Sequence, residues 1–392
     1  MRELLYRYNP WWEGEINSRL FARSQTIEVV QSASEPKVTC LVGLRRIGKT
    51  SILKKVIEVL IREKEIDAKR VFYISLDEYL LKDSPLSKIV DEYRKIHKIP
   101  FNEKINLFFD EVTYLKDYEI QLKNMVDNAN VKIFIASSNS MLLRMSKGFL
   151  TGRTSVFEIL PLTFAEYLKF KNHNVKPSDL HLLDEYFLDF LKTGGLPEVV
   201  LTGSSEFIKD LVDDIVYKDI AAVHNVRNLA LLKDFFLLLM ERAGKRLSIN
   251  KMASILSISS ETAHRYFNYF SDSFLIHTVS RHGKTNEKIR APKKIYSPDI
   301  GIRNYFTGFK DIGSIFENYV FLRIKDKEPS YIYNSGSEID FITKSGFVLE
   351  CKFHAEPLEG KQKSLFESFP AEKRMVVRDE ISLNSFLDVF EE

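Results

Sequence analysis

Residues 37–51, KVTCLVGLRRIGKTS, constrain this chain more than any other stretch. A short apolar run, Val38 to Val42, ends in Gly43-Leu44-Arg45-Arg46-Ile47-Gly48-Lys49-Thr50-Ser51, and apolar Ile52, Leu53, Val56, Ile57 and Leu60 follow at helical spacing. The order is strand, glycine loop, helix, and it gives each residue of the pattern GxxxxGK[ST] a mechanical task. Gly43 and Gly48 admit backbone torsions closed to other residues, so successive N–H groups can turn toward phosphate oxygens. Lys49 reaches the β- and γ-phosphates, the Thr50 hydroxyl ligates Mg²⁺, and the helix N-terminus adds its dipole. A site for ATP and Mg²⁺ is therefore expected between Gly43 and Ser51.

The rest of the sequence bounds what can surround such a site. A chain of 392 residues has room for two or three domains, and its 44% apolar content with 29 Phe and 17 Tyr argues against long disordered segments. A net charge of +3 neither demands nor excludes a nucleic-acid partner. The two cysteines, Cys40 and Cys351, lie far apart inside strand-like runs and read as small buried hydrophobes of a reducing compartment. The N-terminus lacks the apolar region of a signal peptide and no run of 18 apolar residues occurs, so the expectation is a cytoplasmic protein with no membrane span.

Beyond the glycine loop, RVFYISL (residues 70–76) reads as a second strand and completes a βαβ unit. INLFFDE (residues 105–111) is an apolar run that delivers two carboxylates to its C-terminal edge, as a buried parallel strand should. Asp110 would hold the Mg²⁺ shell and Glu111 would polarise the attacking water. VKIFIA (residues 131–136) runs into Ser137-Ser138-Asn139-Ser140, where a polar side chain can sense the γ-phosphate, and Asn139 is the choice among four adjacent candidates. Arg153, just before a fifth strand at residues 155–160, can serve as an arginine finger toward a neighbouring subunit of a homo-oligomer, or equally form a surface ion pair. Both tryptophans, Trp11 and Trp12, fall in the lead-in NPWW, which is expected to pack on the adjoining domain rather than over a nucleotide base.

Together NPWW, GLRRIGKT, LFFDE, SSNS, GRTSVFEILPLTFAEYL and GGLPE resemble the archaeal AAA-type ATPases of the STAND-related branch. That resemblance implies an α/β P-loop NTPase with an AAA-type parallel sheet around the nucleotide, followed by a small helical lid.

Residues 229–270 then suggest three helices. The third, opening at Ser259-Ser260-Glu261, has Ala263, Phe267 and Phe270 on one face and Thr262, His264, Arg265 and Asn268 outward. The stretch RHGKTNEKIRAPKK (residues 281–294) between two strands carries six Lys/Arg against one acid, the composition of a DNA-contacting wing. The expectation is a winged helix-turn-helix with DNA as a partner, a protein-packing role or a solvated charged loop being the alternatives.

Near the C-terminus, Asp340 precedes a Lys-Ser-Gly turn and the strand FVLECKF (residues 347–353), in which Glu350 and Lys352 share a face by two-residue periodicity. Asp340 and Glu350 can share a divalent ion, Mg²⁺ or Mn²⁺, with Glu317 of a preceding helix as accessory ligand and Lys352 orienting water. This arrangement resembles the PD-(D/E)xK, restriction-endonuclease-like fold. The expected order is a lead-in (1–30), a P-loop domain (31–160), a helical lid (161–225), a winged helix (226–300) and an α/β nuclease-like domain (301–392). The expected activity is Mg²⁺-dependent ATP hydrolysis coupled to domain movement and DNA binding, with metal-dependent cleavage as an open addition. A nucleotide switch that binds DNA or a protein partner without cutting is the alternative.

Overall fold

The computed structural model describes residues 1–16, 20–138, 152–354 and 357–388. The chain divides into two compact units, residues 1–160 and 161–392.

The first unit is built on five parallel strands: β1 (Val38–Val42), β2 (Val71–Ser75), β3 (Ile105–Asp110), β4 (Val131–Ser137) and β5 (Thr154–Glu158), in the order β2-β3-β4-β1-β5. Every residue of β1 and β3 is buried, which explains why both read as continuous apolar runs rather than alternating ones. The helix Lys49–Arg62 follows β1 and buries Ile52, Leu53, Val56, Ile57 and Leu60. The sequence reading placed all five strands within one or two residues of their observed limits.

The lead-in covers the free edge of β2. Asn9 donates its side-chain amide to the carbonyls of Leu5 (2.7 Å) and Tyr73 (2.8 Å) and accepts the Tyr73 N–H (2.7 Å). Trp11 and Trp12 both donate their indole N–H to the Val71 carbonyl at 3.0 Å. A parallel sheet exposes unpaired backbone groups at its edge, and these side chains satisfy them. Residues 1–16 thus belong to the same compact unit as the sheet, and the tryptophans pack on it as expected.

In the second unit, the helix Leu229–Glu241 leads to an antiparallel sheet, β6 (Lys245–Leu247), β8 (Lys293–Tyr296) and β7 (His277–Val279), with the helices Ile249–Ile255 and Ser260–Asp272 between its strands. Residues 281–292 are not wholly loop as expected, because Thr285–Arg290 forms a short helix. A second sheet runs β12 (Lys373–Val377), β11 (Phe347–Cys351), β10 (Ser337–Ile342) and β9 (Ser330–Asn334), with β11 and β12 parallel and the others antiparallel.

The segments separated on sequence as lid and C-terminal domain share one core. Phe164, Tyr167, Phe187 and Phe190 pack with Phe316, Tyr319, Phe353 and Val377 in a single apolar cluster. The GGLPE turn locks this union. Asp299 accepts the Gly195 N–H at 2.6 Å and caps the helix Ile300–Thr307 at the Ile302 N–H, 3.1 Å away. A Cβ on Gly194, whose φ is +83°, would lie 2.4 Å from the Asp299 carboxylate, so only glycine allows this approach. Composition could not disclose the shared core, since apolar residues at helical spacing look alike whichever partner they meet.

Candidate functional site

The phosphate loop has the torsions its glycines permit, φ being +140° at Gly43 and +106° at Gly48, and Arg46 between them is also left-handed at +60°. Gly48 is also the left-handed residue immediately before the helix Lys49–Arg62, so that helix begins with its unpaired N–H groups facing the loop. The buried Lys49 side chain curls over the loop, donating to the carbonyls of Gly43 (3.0 Å) and Leu44 (2.8 Å) and to the Ser138 hydroxyl (3.1 Å).

The acids at the end of β3 meet this loop. Thr50 donates its hydroxyl to Asp110 Oδ2 at 2.6 Å, and Tyr73 on β2 donates to the same oxygen at 2.9 Å. Ser138, at the end of β4, donates to Glu111 Oε1 at 2.9 Å, so one hydroxyl joins Lys49 to Glu111. Glu111 stands at φ +48°, a backbone state that turns its side chain off the strand direction toward the loop. Burial pushes the Glu111 carboxyl upward, and Asp110 adds to this against the pull of Lys49 and the Ser138 hydrogen bond. An upward shift makes the Glu111 carboxylate a stronger base, able to accept a proton from water.

Sequence reasoning missed three residues that build this corner. Ser138, one of the four adjacent polar candidates but not the one chosen, makes the contacts above; Asn139 lies outside the described residues. Tyr73 was legible only as a strand aromatic, because its alignment with Asp110 depends on the register of β2 on β3. Arg23 is buried in the lead-in and donates to the carbonyls of Ile47 (3.2 Å) and Leu160 (2.8 Å), tying the loop to the segment after β5. Arg153 sits at the start of β5, which is paired with the start of β1 and so lies at the opposite end of the strands from the chain's own loop, and it forms an ion pair with Asp127. Arg45 donates to the Tyr114 hydroxyl at 3.2 Å on the surface.

The C-terminal acids converge, but around a lysine. Lys294, on β8, is 1% exposed, and its ammonium lies 2.7 Å from Glu317 Oε1, 2.7 Å from Glu338 Oε1 and 3.1 Å from Asp340 Oδ1. The remaining contacts come from the protein too. Tyr296 donates to Glu317 (2.6 Å), the Cys351 N–H to Asp340 Oδ2 (2.9 Å), and Gln362 to Glu350 Oε1 (2.5 Å). Arg246 pairs with Glu338 Oε2 (3.0 Å) and Lys352 with Glu350 Oε1 (3.3 Å).

Burial lowers the Lys294 ammonium's affinity for its proton, but Glu317, Tyr296, Asp340 and Glu338 outweigh this and hold it well above the usual lysine value. Burial and the Asp340 charge push Glu350 up to about 9 and Glu317 to about 7. Among the described residues, no three His, Cys, Asp or Glu side chains form a group that could hold a metal ion. Of the acids expected to ligate a divalent metal, Glu317 and Asp340 meet the Lys294 ammonium and Glu350 meets Lys352. The charge count of residues 281–294 changes accordingly. Lys294 points inward and Arg281 donates to the Tyr333 carbonyl (2.8 Å), which leaves Lys284, Lys288, Arg290 and Lys293 outward.

Comparison with known proteins agrees with the first unit's architecture. Residues 35–168 match the family described as an AAA domain, and residues 184–312 match a domain of unknown function (DUF8612). The chain is 32% identical to the uncharacterized protein MJ1544 of Methanocaldococcus jannaschii over 331 residues, spanning 78% of this chain and 72% of that protein. An uncharacterized protein of Haemophilus influenzae is 26% identical over 336 residues, spanning 81% of this chain and 82% of its own length. Among solved structures, the Walker-type ATPase PABY2304 of Pyrococcus abyssi aligns with a TM-score of 0.47 and 14% identity, over 73% of this chain and 95% of that one. The Pyrococcus horikoshii STAND protein PH0952, with a tetratricopeptide repeat sensor, aligns with a TM-score of 0.30 and 13% identity, over 81% of this chain and 47% of that one. The five-stranded parallel sheet and its glycine loop form an α/β fold of the P-loop NTPase type.

Proposed function

The chain belongs to the family of Methanocaldococcus jannaschii MJ1544 and carries an AAA domain, and from that premise we propose that it binds and hydrolyses ATP with Mg²⁺. The observation that carries this reading is the corner where Thr50 meets Asp110 at 2.6 Å and Ser138 joins Lys49 to Glu111. Residues Gly43 to Ser51 cradle the phosphates, with Lys49 exchanging its contacts to the Gly43 and Leu44 carbonyls for phosphate oxygens. Thr50 and Asp110 flank the position of Mg²⁺, which when bound neutralises charge on the β- and γ-phosphate oxygens. Glu111 orients the attacking water and takes its proton, and Ser138 holds that carboxylate in place. Asn139 remains the proposed γ-phosphate sensor beside it. Arg153 acts, in this reading, only toward the nucleotide of a second copy in a homo-oligomer.

Residues 226–300 serve as a winged helix that contacts DNA. This rests on the outward His264, Arg265 and Asn268 of the helix Ser260–Asp272 and on the four outward cations of residues 281–293. The segment 161–225 acts as the lid through which nucleotide state reaches these modules, and residues 301–392 have the nuclease-like fold without a divalent-metal site. A role as a nucleotide switch that engages DNA or a protein partner without cutting fits this set better than cleavage does. No helix among the described residues is long and apolar enough to cross a membrane, in keeping with a cytoplasmic site of action.

The test is Lys49→Ala. Calorimetry should show ATP affinity reduced at least tenfold and phosphate release abolished. Unchanged affinity and turnover would sink the assignment.

A further inference from the structure

Lys294 was legible on sequence only as one cation of a basic loop, yet its ammonium has no solvent exposure to speak of and lies among carboxylates. We propose that Lys294 is a built-in cation standing where a divalent metal would otherwise sit, so that the carboxylate cluster of residues 301–392 binds no metal and pins the three-stranded sheet to the β10–β11 hairpin.

Three features carry this. First, an ammonium has three N–H donors and no acceptor, and Lys294 meets three carboxylates, Glu317, Glu338 and Asp340, at hydrogen-bonding distances of 2.7, 2.7 and 3.1 Å. Its donor capacity is filled by acids that come from a helix and from β10. Second, those acids are already engaged. Asp340 Oδ2 accepts the Cys351 N–H, Glu338 Oε2 pairs with Arg246, and Glu350 accepts from Gln362 and Lys352. Magnesium and manganese need oxygen ligands that can close in to about 2.0–2.2 Å, and with the Lys294 ammonium at their centre these oxygens are held at hydrogen-bonding distances instead.

Third, strand pairing fixes the face from which Lys294 projects. It lies on β8, paired with Arg246 on β6 and Val279 on β7, and two-residue alternation puts it on the same face as Tyr296, which donates to Glu317. The lysine thus belongs to one module and its three partners to the next, and the contact is a buried electrostatic joint between them.

The inference does not depend on the ATPase reading, and its experiment needs no nucleotide. Mn²⁺ binding is counted by electron paramagnetic resonance on the full chain in an Asp110→Asn background, which removes the phosphate-loop acid. The background protein should bind no ordered Mn²⁺. Adding Lys294→Ala should create one Mn²⁺ site per chain, which Asp340→Asn removes again, and Mn²⁺ should raise the melting temperature of the Lys294→Ala protein while leaving the parent unmoved. The parent should also leave supercoiled plasmid intact in Mn²⁺. An Asp340-dependent Mn²⁺ site in the parent, or Asp340-dependent plasmid cleavage, would overturn the proposal. So would a Lys294→Ala protein that neither binds Mn²⁺ nor is stabilised by it.

Discussion

Replacing Gly43 by alanine tests the geometry of the phosphate loop with a single methyl group. At φ +140° the backbone lies where L-residues are strained, and the new Cβ would stand 2.5 Å from the carbonyl oxygen of Ile159. That carbonyl cannot easily yield, because the Ile159 N–H donates to the Val42 carbonyl at 2.7 Å and continues the β1–β5 ladder. The torsional strain costs about 1–3 kcal/mol. Forcing β5 aside to admit the methyl adds about 1–3 kcal/mol of overpacking.

A control separates the two effects. Gly14 also has positive φ, +91°, but a Cβ there meets nothing within 4 Å, so Gly14→Ala reports torsional strain alone. Both tryptophans of the chain are Trp11 and Trp12, so tryptophan fluorescence follows the unfolding of residues 1–160 specifically. Gly43→Ala should fall below Gly14→Ala by about 2 kcal/mol, or roughly 4–8 °C in melting temperature for a unit of this size. The stabilisation that saturating Mg-ATP confers on the parent, about 2.7 kcal/mol at a hundredfold excess over Kd, should vanish in Gly43→Ala and persist in Gly14→Ala. Equal melting temperatures for the two variants, or a nucleotide shift retained in Gly43→Ala, would refute the reasoning.

Three further outcomes follow from contacts already described. Glu111→Gln should keep the Mg-ATP thermal shift but lower turnover by about 10²-fold or more, and Ser138→Ala, which removes the hydroxyl joining Lys49 to Glu111, should lower it roughly tenfold; steady-state phosphate release checks both. Asp299 is raised by burial to about 6 from an ordinary 3.8, against the amides of Gly195, Ile302 and Gly301. Its native state therefore holds a proton that the unfolded chain has lost, and the associated stability is present below pH 4 and disappears as pH rises through 6. Urea unfolding at stepped pH should show Asp299→Asn losing about 3 kcal/mol less than the parent over that window, and parallel curves would count against it. Replacing Lys288 or Arg290 by alanine should each flatten the salt dependence of DNA affinity by close to one counterion, whereas an unchanged slope would remove residues 281–293 from the interface.

How far the amino-acid order alone reached can be seen residue by residue. Gly43, Gly48, Lys49 and Thr50 were legible because their tasks are local: backbone freedom and the start of a helix are set by neighbours in the chain. Asp110 and Glu111 were legible because a buried parallel strand must end in the crevice beside its neighbours' C-terminal ends. Strand limits came within one or two residues for the same reason, since apolar runs bounded by polar turns leave little choice.

What waited for the tertiary structure were the pairings between segments distant in sequence. Tyr73 reaches Asp110 only because β2 and β3 are in one particular register. Arg23 supports the loop across 24 residues of chain, and Asp299 clasps Gly195 across 104. Lys294 is the sharpest case. Its neighbours Lys293 and Arg290 made it look like part of a solvated wing, while strand alternation turns it to the face of Tyr296 and into a cluster of acids 23 to 46 residues away. Local sequence sets which torsions and faces a segment can use, but which charge a buried side chain finally meets is decided by packing, because burial makes an unpaired charge too costly to keep.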